Sequence, residues 1–251
     1  MQKQKPRLYG IPFSPWSEKA RWALDHHRIA YEKVDHQLLV GDIRLRILLR
    51  KPTGRVTVPV LDDRGVLFTD SFDIARHADS IGAGPKLFPA GREAEIEAWN
   101  RRSEAGLAAL RAAMILRVLD EPAAAKAMLP KGIPDVVEPL LLLVGRRVME
   151  LFAAKYEMRK GAASHRAVVE ENLDALEEAL AGGRKYLIGD TFSYADITMA
   201  LLLQMVRPVD KRFMSVGPGG REGWSNPDLA ERYAALLAWR DELYEKHRKS
   251  A

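Results

Sequence analysis

Ser14 is the residue of this chain best placed to do chemistry, because it lies where a short strand is expected to turn into a helix. The segment L-Y-G-I-P-F-S-P-W-S-E-K-A-R-W-A-L predicts a strand over Leu8 to Ile11, a turn, and a helix from Pro15 onward. Proline suits the first helical position, so Ser14 is the expected N-cap. The free N–H groups and partial positive charge of a helix N-terminus stabilise an anion such as a ligand thiolate. The alternative is that Ser14 only caps the helix.

Two further segments offer backbone and side-chain groups to a ligand. The run V-T-V-P-V-L from Val56 to Leu61 predicts a strand, and Pro59 within it requires a bulge, an edge position or a cis turn, with its backbone available for contact. The run from Leu67 to Arg76 predicts a strand that leads into a helix, with Asp70 and Ser71 at the junction. Free N–H groups at that helix start can bind a carboxylate, and Asp70 can accept from an ammonium group.

With these three segments in this order, the chain resembles the glutathione transferase family. In that family a Ser, Cys or Tyr near the end of the first strand contacts the glutathione sulfur, and the Ser14-Pro15 pair is similar to the serine-using, omega-like or tau-like members. The resemblance implies a cis proline after a valine, here Val58 and Pro59, and an acidic residue followed by serine that holds the γ-glutamyl group, here Asp70 and Ser71. It also implies an α/β thioredoxin-like N-terminal domain, an all-α helical-bundle C-terminal domain, and a homodimer.

The remaining contacts to glutathione are also drawn from the resemblance. The backbone of Val58 would pair with the cysteinyl part of glutathione, and Arg55 or Lys51 would meet the glycyl carboxylate. Between Gly54 and Pro59 the chain is two residues longer than the common family pattern N-P-x-G-x-V-P. The choice between the two basic residues therefore stays open. Ser17, one helical turn beyond Ser14, is the alternative sulfur contact.

The second half of the chain is helical in its hydrophobic period and carries one clear motif. Within G-D-T-F-S-Y-A-D-I-T, Ser193 precedes Asp196 by three residues, which predicts a capping box, and Phe192 and Ile197 have the spacing of a hydrophobic staple. The same motif resembles the family's capping box in a central helix of the second domain. We expect a structural role for this pair.

At 251 residues the chain is long enough for two domains. We predict a glutathione-binding domain over residues 1–85, a linker over 86–92 that contains K-L-F-P-A-G, and a helical domain over 93–251. The five predicted helices run from Glu93 to Leu119, Asp135 to Tyr156, His165 to Leu180, Tyr194 to Val206, and Pro227 to His247, with the first and second open to a break.

Composition excludes several classes of chemistry. The chain has no cysteine, so it forms no disulfide and supplies no thiolate of its own. The omega-like reductase chemistry is therefore not expected, because Ser14-Pro15-Trp16-Ser17 stands where a redox relative has C-P-x-C. The six histidines form no zinc-hydrolase motif, and there is no G-x-S-x-G elbow or phosphate-binding glycine loop.

Charge and hydropathy predict the partners and the compartment. The net charge of +5 is spread along the chain without a nucleic-acid motif, so we expect no nucleic-acid partner. The start of the chain is polar, and the longest aliphatic run, Leu140 to Val144, is too short to cross a bilayer. We therefore expect a cytoplasmic protein without a membrane or metal partner, whose co-substrate is glutathione.

The predicted function is activation of the glutathione thiol for attack on a small electrophile held between the domains. The candidates for the electrophile site are Met114, Ile115, Arg117 and Val118 on the first long helix of the second domain. The segment from Val206 to Trp224, with an exposed-looking Phe213, either covers the site or is a disordered loop. The alternatives are a non-catalytic binding or scaffolding module of the same fold, and a glutathione-dependent isomerase or peroxidase.

Overall fold

The computed structural model describes residues 5–37, 40–129, 134, 136–217 and 219–248, which form a sheet region and a helical region. The sheet region contains β1 (Arg7–Gly10), α1 (Pro15–His26), β2 (Glu32–Asp35), α2 (Val40–Leu48), β3 (Val60–Asp63), β4 (Val66–Phe68) and α3 (Ser71–Ile81). The helical region contains α4 (Glu93–Asp120), α5 (Pro122–Ala127), α6 (Glu138–Lys155), a 3₁₀ turn (Ala162–Ser164), α7 (His165–Ala179), α8 (Tyr194–Leu203), α9 (Gly220–Gly223), α10 (Pro227–Arg232) and α11 (Ala234–His247).

The four strands form one mixed sheet in the order β2-β1-β3-β4. β1 pairs in parallel with β2 and antiparallel with β3, and β4 closes an antiparallel hairpin with β3. Successive side chains of a strand point to opposite faces, so Leu8 packs into the core shared with α1 and α3, while Tyr9 packs with Leu45 of α2. The sheet therefore lies between α1 and α3 on one face and α2 on the other, which confirms the predicted α/β thioredoxin-like class.

Two of the predicted strands have different limits. β1 ends at Gly10 because Ile11 enters the turn, where its carbonyl accepts from the Ser14 N–H at 3.1 Å. The strand predicted from Val56 to Leu61 is wrong at its start, since β3 begins only at Val60. The Val58–Pro59 bond is cis and precedes the strand, because a proline has no N–H to donate to the sheet.

The helical region confirms the predicted all-α class and corrects several helix limits. α4 is continuous over 28 residues. α6 begins at Glu138, and the predicted start at Asp135 lies outside the described residues. The helix predicted from Tyr194 to Val206 ends at Leu203. The segment predicted as one helix from Pro227 to His247 is two helices, because Tyr233 leaves the helical conformation between them (φ −106°, ψ 36°).

α8 is the central helix of the helical region, and every one of its residues is buried. The predicted capping box is confirmed: the Ser193 N–H donates to the Asp196 carboxylate at 2.8 Å, and the Ser193 side chain accepts from the Asp196 backbone N–H. α4 crosses α8 closely at Gly106, where a Cβ would lie 2.6 Å from the Leu202 side chain. This close approach fixes α4, whose opposite face lines the cavity described below.

Contacts at both ends of the helical region join it to the sheet region. Leu87, between α3 and α4, is fully buried, and its N–H donates to Asp79 at 2.6 Å. After α11, Arg248 donates to Glu18 of α1 at 2.6 Å. No helix among the described residues is long and apolar enough to cross a membrane.

Candidate functional site

A cavity of about 510 Å³ lies between the sheet region and the helical region. The sheet region contributes the turn before α1, the loop before β3 and the start of α3 to its wall. The helical region contributes residues of α4 and α6 together with Trp224. The cavity therefore brings together the three segments in which the sequence predicted ligand contacts.

Ser14 lies at the cavity wall as the N-cap of α1. Its side-chain oxygen accepts from the Ser17 N–H at 3.5 Å, and Pro15 occupies the first turn as predicted. A serine hydroxyl has one donor hydrogen and two acceptor lone pairs, so Ser14 can cap the helix and still donate to a ligand. The alternative residue, Ser17, is fully buried, accepts from the Ile11 N–H at 3.1 Å, and lies outside the cavity lining.

Val58 and Pro59 line the cavity beside Ser14. Among the described residues, neither the N–H nor the carbonyl of Val58 has a hydrogen-bond partner. Backbone groups of this kind are strong hydrogen-bonding groups that seek a partner. The loop before β3 therefore offers an unpaired backbone edge to a ligand with peptide character.

Asp70 and Ser71 form the start of α3 and face the same cavity. Asp70 caps the helix by accepting from the Phe72 N–H at 2.7 Å. Desolvation raises the pKa of Asp70, and the nearby Glu104 carboxylate adds to the rise. The Ser71 hydroxyl is buried without a hydrogen-bond partner, and the buried Tyr194 hydroxyl lies close to it without hydrogen-bond geometry. Ser71 can therefore satisfy its hydroxyl with a ligand carboxylate.

Glu104 of α4 is a cavity residue that the sequence analysis missed. Its carboxylate accepts from the Trp16 indole N–H at 2.5 Å and from the Lys19 ammonium at 2.6 Å. Lys19 is fully buried, and desolvation lowers its pKa against the opposing effect of Glu104. These two contacts hold α4 against α1 and place a second carboxylate near Asp70.

The basic residues are divided between the cavity and the outer surface. Arg55 is exposed and lines the cavity, with its guanidinium 5.2 Å from the ring centre of Tyr156. Lys51 is also exposed but lies outside the lining.

His36 and Lys155, which were not predicted from the sequence, also line the cavity. Both contact Asp42, His36 through Nε2 at 3.1 Å and Lys155 through Nζ at 2.8 Å. Desolvation lowers the pKa of His36, opposed by Asp42.

The opposite part of the cavity is apolar and aromatic. Met114 and Ile115 line it as predicted, whereas Arg117 and Val118 lie outside its lining. Phe13 and Trp224 meet edge to face, with ring centres 5.5 Å apart. The other apolar and aromatic lining residues of this part include Trp16, Ala108, Met128, Met149, Phe152, Tyr156 and Met205.

The predicted covering segment from Val206 to Trp224 is described except for residue 218. The expectation that Phe213 is exposed is wrong, since it is buried against Tyr244 with ring centres 5.4 Å apart. Trp224, at the end of the segment, lines the cavity directly. Its indole packs against Phe13, so the segment brings an aromatic residue to the apolar part of the site.

Two family profiles match the chain in the order of its two regions. The profile for the glutathione S-transferase N-terminal domain matches residues 8–86, and the profile for the glutathione S-transferase C-terminal domain matches residues 144–242. The chain belongs to the glutathione S-transferase family. A comparison of the chain with curated protein sequences found no match.

Solved structures of two glutathione transferases and a beta-etherase share the fold over almost the whole chain. The transferase GSTFuA2 from Phanerochaete chrysosporium is 21% identical, with a TM-score of 0.65 over 99% of this chain and 100% of that one. A glutathione S-transferase of Ceriporiopsis subvermispora in complex with glutathione is 20% identical, with a TM-score of 0.63 over 99% of both chains. The beta-etherase LigF from Sphingobium sp. strain SYK-6 is 18% identical, with a TM-score of 0.62 over 97% of this chain and 96% of that one.

Within the described residues of this glutathione S-transferase family member, no group of three or more His, Cys, Asp or Glu side chains is placed to hold a metal ion. The charged residues of the cavity instead pair with one another or face its interior. The described side chains of the site can form hydrogen bonds and stabilise charge on bound groups.

Proposed function

We propose that this protein is a glutathione transferase that activates the thiol of glutathione for attack on a small, largely apolar electrophile. The observation that carries the proposal is the convergence of Ser14, Val58, Asp70 and Ser71, from three separate segments, on the wall of one cavity whose other part is apolar. A cavity of this size that combines an apolar wall with a few polar groups is typical of small-molecule sites.

Ser14 would donate its hydroxyl hydrogen to the glutathione sulfur. A hydrogen bond to a charged group contributes about 1.5–3 kcal/mol, which corresponds to a thiol pKa lowered by about one to two units. The start of α1 adds the partial positive charge of its free N–H groups. The sulfur then forms a bond to the electrophilic carbon, the leaving group departs with its electron pair, and the thiol proton passes to water.

The rest of glutathione would bind along the sheet region. Asp70, with Glu104 behind it, would accept from the γ-glutamyl ammonium, and Ser71 would donate to the γ-glutamyl carboxylate. The unpaired backbone of Val58 would pair with the cysteinyl part. Arg55 would bind the glycyl carboxylate in preference to Lys51, because only Arg55 lines the cavity.

Calorimetry with glutathione and a conjugation assay with 1-chloro-2,4-dinitrobenzene test this proposal. We expect both binding and turnover. Binding without turnover of this or any related electrophile would support the non-catalytic module instead, and turnover only with a peroxide or an isomerisable substrate would support the isomerase or peroxidase. The absence of glutathione binding would overturn the proposed function.

The assembly, the compartment and the domain limits are part of the same proposal. The family resemblance supports a homodimer, which sedimentation equilibrium of the purified protein would test. A cytoplasmic role in detoxification remains a prediction for cell fractionation. The domain limits at 85 and 93 are supported by the end of α3 at Ile81 and the start of α4 at Glu93.

A further inference from the structure

Arg111 is a cation held inside the apolar part of the cavity. It lies on α4, and its guanidinium carbon is 4.0 Å from the ring centre of Tyr156, 4.6 Å from Trp16 and 5.9 Å from Phe152. Arginine over the face of an aromatic ring is stabilised by the negative potential of that face, and more so when water is excluded. The three rings therefore keep the guanidinium in one position in the cavity.

No carboxylate among the described residues forms an ion pair with Arg111, and its buried Nε has no hydrogen-bond partner. The two acidic residues that line the cavity are Asp70 and Glu104, and Glu104 is already engaged by Trp16 and Lys19. Desolvation lowers the pKa of Arg111, but an arginine side chain stays charged in proteins. The Arg111 side chain is half-buried, and a partly desolvated charge without a carboxylate beside it is costly, which indicates that the partner comes from a ligand.

Arg111 lies on the face of α4 that carries part of the apolar lining, and not among the residues assigned to glutathione. Met114 and Ile115 follow it by three and four residues, so the three side chains share one face of the helix. A ligand that packs its apolar body against these residues brings any substituent at its end to the guanidinium. The planar fork of an arginine binds a carboxylate through two parallel hydrogen bonds.

We propose that the electrophile of this protein carries a carboxylate on an aryl or alkyl body, and that Arg111 binds this carboxylate. The inference rests on the proposed function, since it assigns the electrophile of that reaction. The Arg55 guanidinium also contacts the Tyr156 ring, and Arg55 keeps its proposed role of binding the glycyl carboxylate of glutathione. Arg111 is then a residue that determines substrate specificity without acting on the sulfur.

Calorimetry with two S-substituted glutathiones of matched shape tests the inference. S-(4-carboxybenzyl)glutathione carries the expected anionic group, and S-(4-methylbenzyl)glutathione replaces it with a methyl group. We expect the wild-type protein to bind the carboxylate about tenfold more tightly, as a charge-assisted hydrogen bond predicts. In Arg111→Met this preference should disappear, while affinity for glutathione itself changes less than about threefold. Arg111→Lys should keep part of the preference, because it keeps the charge without the fork.

Arg117→Met is the matched control, since Arg117 is exposed on the same helix and lies outside the cavity lining. It should keep the wild-type preference. A parallel kinetic comparison uses 4-chloro-3,5-dinitrobenzoate and its methyl ester, in which the sulfur replaces chloride at the same carbon. The ratio of the two kcat/KM values should fall about tenfold in Arg111→Met and stay unchanged in Arg117→Met.

The possible outcomes separate this inference from the proposed function. Equal binding of the two conjugates by the wild-type protein would overturn the role of Arg111 and leave the transferase function intact. A loss of glutathione affinity in Arg111→Met as large as the loss for the carboxybenzyl conjugate would assign Arg111 to the glycyl carboxylate, and would also overturn it. If neither glutathione nor a conjugate binds, the proposed function itself fails. Should Arg111→Met not fold by circular dichroism, the wild-type and Arg111→Lys measurements decide.

Discussion

At the scale of single residues, the site depends on polar groups that serve the fold and still have hydrogen-bonding capacity left. Ser14 accepts from the backbone of its own helix and keeps its hydrogen, and Asp70 accepts from Phe72 with one of its two oxygens. Ser71 is the extreme case, because its buried hydroxyl forms no hydrogen bond of good geometry among the described residues and only lies close to the Tyr194 hydroxyl. At Asp70 a substitution can keep the cap and remove only the charge, which separates structure from function, whereas Ser14→Ala removes the cap together with the donor.

Replacing Ser14 tests the sulfur contact. Ser14→Ala should raise the pKa of the bound glutathione thiol by about one to two units, because the sulfur loses a charge-assisted donor. Turnover at neutral pH should fall about tenfold to a hundredfold, with a smaller loss of glutathione affinity. Titration of the thiolate by ultraviolet absorbance measures the pKa. Ser80→Ala, at an exposed serine of α3, is the control, and an unchanged thiol pKa in Ser14→Ala would remove Ser14 from the mechanism.

Replacing the charge of Asp70 tests the γ-glutamyl contact without removing the helix cap. Asparagine caps a helix as well as aspartate does, so Asp70→Asn should keep α3 intact. Glutathione binding should weaken by about 1.5–3 kcal/mol, because the ammonium loses a charged acceptor. Calorimetry measures this change, and Asp73→Asn in the same helix turn is the control because Asp73 is exposed and outside the cavity lining. Wild-type affinity in a folded Asp70→Asn protein would place glutathione elsewhere.

At the scale of helices and strands, His247 at the end of α11 contacts α1 and the segment before α8. The His247 ring stacks on Phe192, the residue before the α8 capping box, with ring centres 4.0 Å apart. The His247 carbonyl accepts from the Trp22 indole of α1 at 3.2 Å. The Tyr186 hydroxyl accepts from Lys246 at 2.8 Å and shares a hydrogen bond with His247 Nε2 at 2.9 Å, in which the donor is set by the imidazole tautomer. Protonation of His247 would place a second positive charge beside Lys246 in a desolvated contact.

This arrangement predicts a pH dependence of stability. Desolvation, with smaller effects of Lys246 and His26, lowers the pKa of His247 to about 4 in the folded protein. Because its pKa in the unfolded chain is about 6.5, the unfolded state binds the proton first, and stability falls as the pH drops from 6.5 towards 4. The ring is partly exposed, so we expect a loss of about 1–2 kcal/mol after discounting for solvent screening.

Urea unfolding of His247→Gln between pH 4 and 7 checks this. The substitution removes the titrating group, so the free energy of unfolding should depend less on pH than in the wild-type protein. His165→Gln, at the start of α7, should keep the wild-type dependence. Parallel pH profiles for wild-type protein and His247→Gln would show that other groups cause the acid sensitivity.

The elements show which parts of the molecule local sequence can predict. The cap at Ser14 and the capping box at Ser193 were predicted, because each depends on residues within three positions. Asp70 was placed at the start of its helix, and its role as the cap is a finding of the structure. The break at Tyr233 was missed, since this residue leaves the helix while it packs into the core and donates to Asp174 at 2.6 Å. Glu104 was also missed because its role depends on tertiary contacts: its partners Trp16 and Lys19 are 88 and 85 residues away in the sequence.

At the scale of the whole molecule, ion pairs with at least one buried partner join the first helix to the helical region at two points. Glu104 of α4 holds Lys19 and Trp16 beside the cavity. On the other side of α1, Arg248 donates to Glu18 at 2.6 Å and to Asp25 at 2.8 Å, with the Arg248 and Glu18 side chains 3% and 1% exposed. Breaking a buried pair leaves a charge without compensation, which costs more than the pair itself contributes.

Arg248→Met should therefore lower the free energy of unfolding by about 3 kcal/mol, at the low end for such pairs because Glu18 keeps Arg21 as a partner at 2.6 Å. Arg207→Met is the control: its pair with Asp241, at 3.7 Å, is half-exposed and should contribute less than about 1 kcal/mol. Chemical unfolding of both variants measures the difference. Equal small effects would mean that the Arg248 pair does not hold the two regions together.

The division of the cavity wall has a consequence for how the protein diverges. All the groups assigned to glutathione except the supporting Glu104 come from the part of the chain that ends at α3, whereas Arg111 and most residues of the opposite, apolar part come from the helical region. Under the proposed function, mutations that accumulate on the second set of residues would alter which electrophile fits while the thiol keeps its acidity. Selection for a new substrate can therefore act on one half of the gene without first losing the reaction that it modifies.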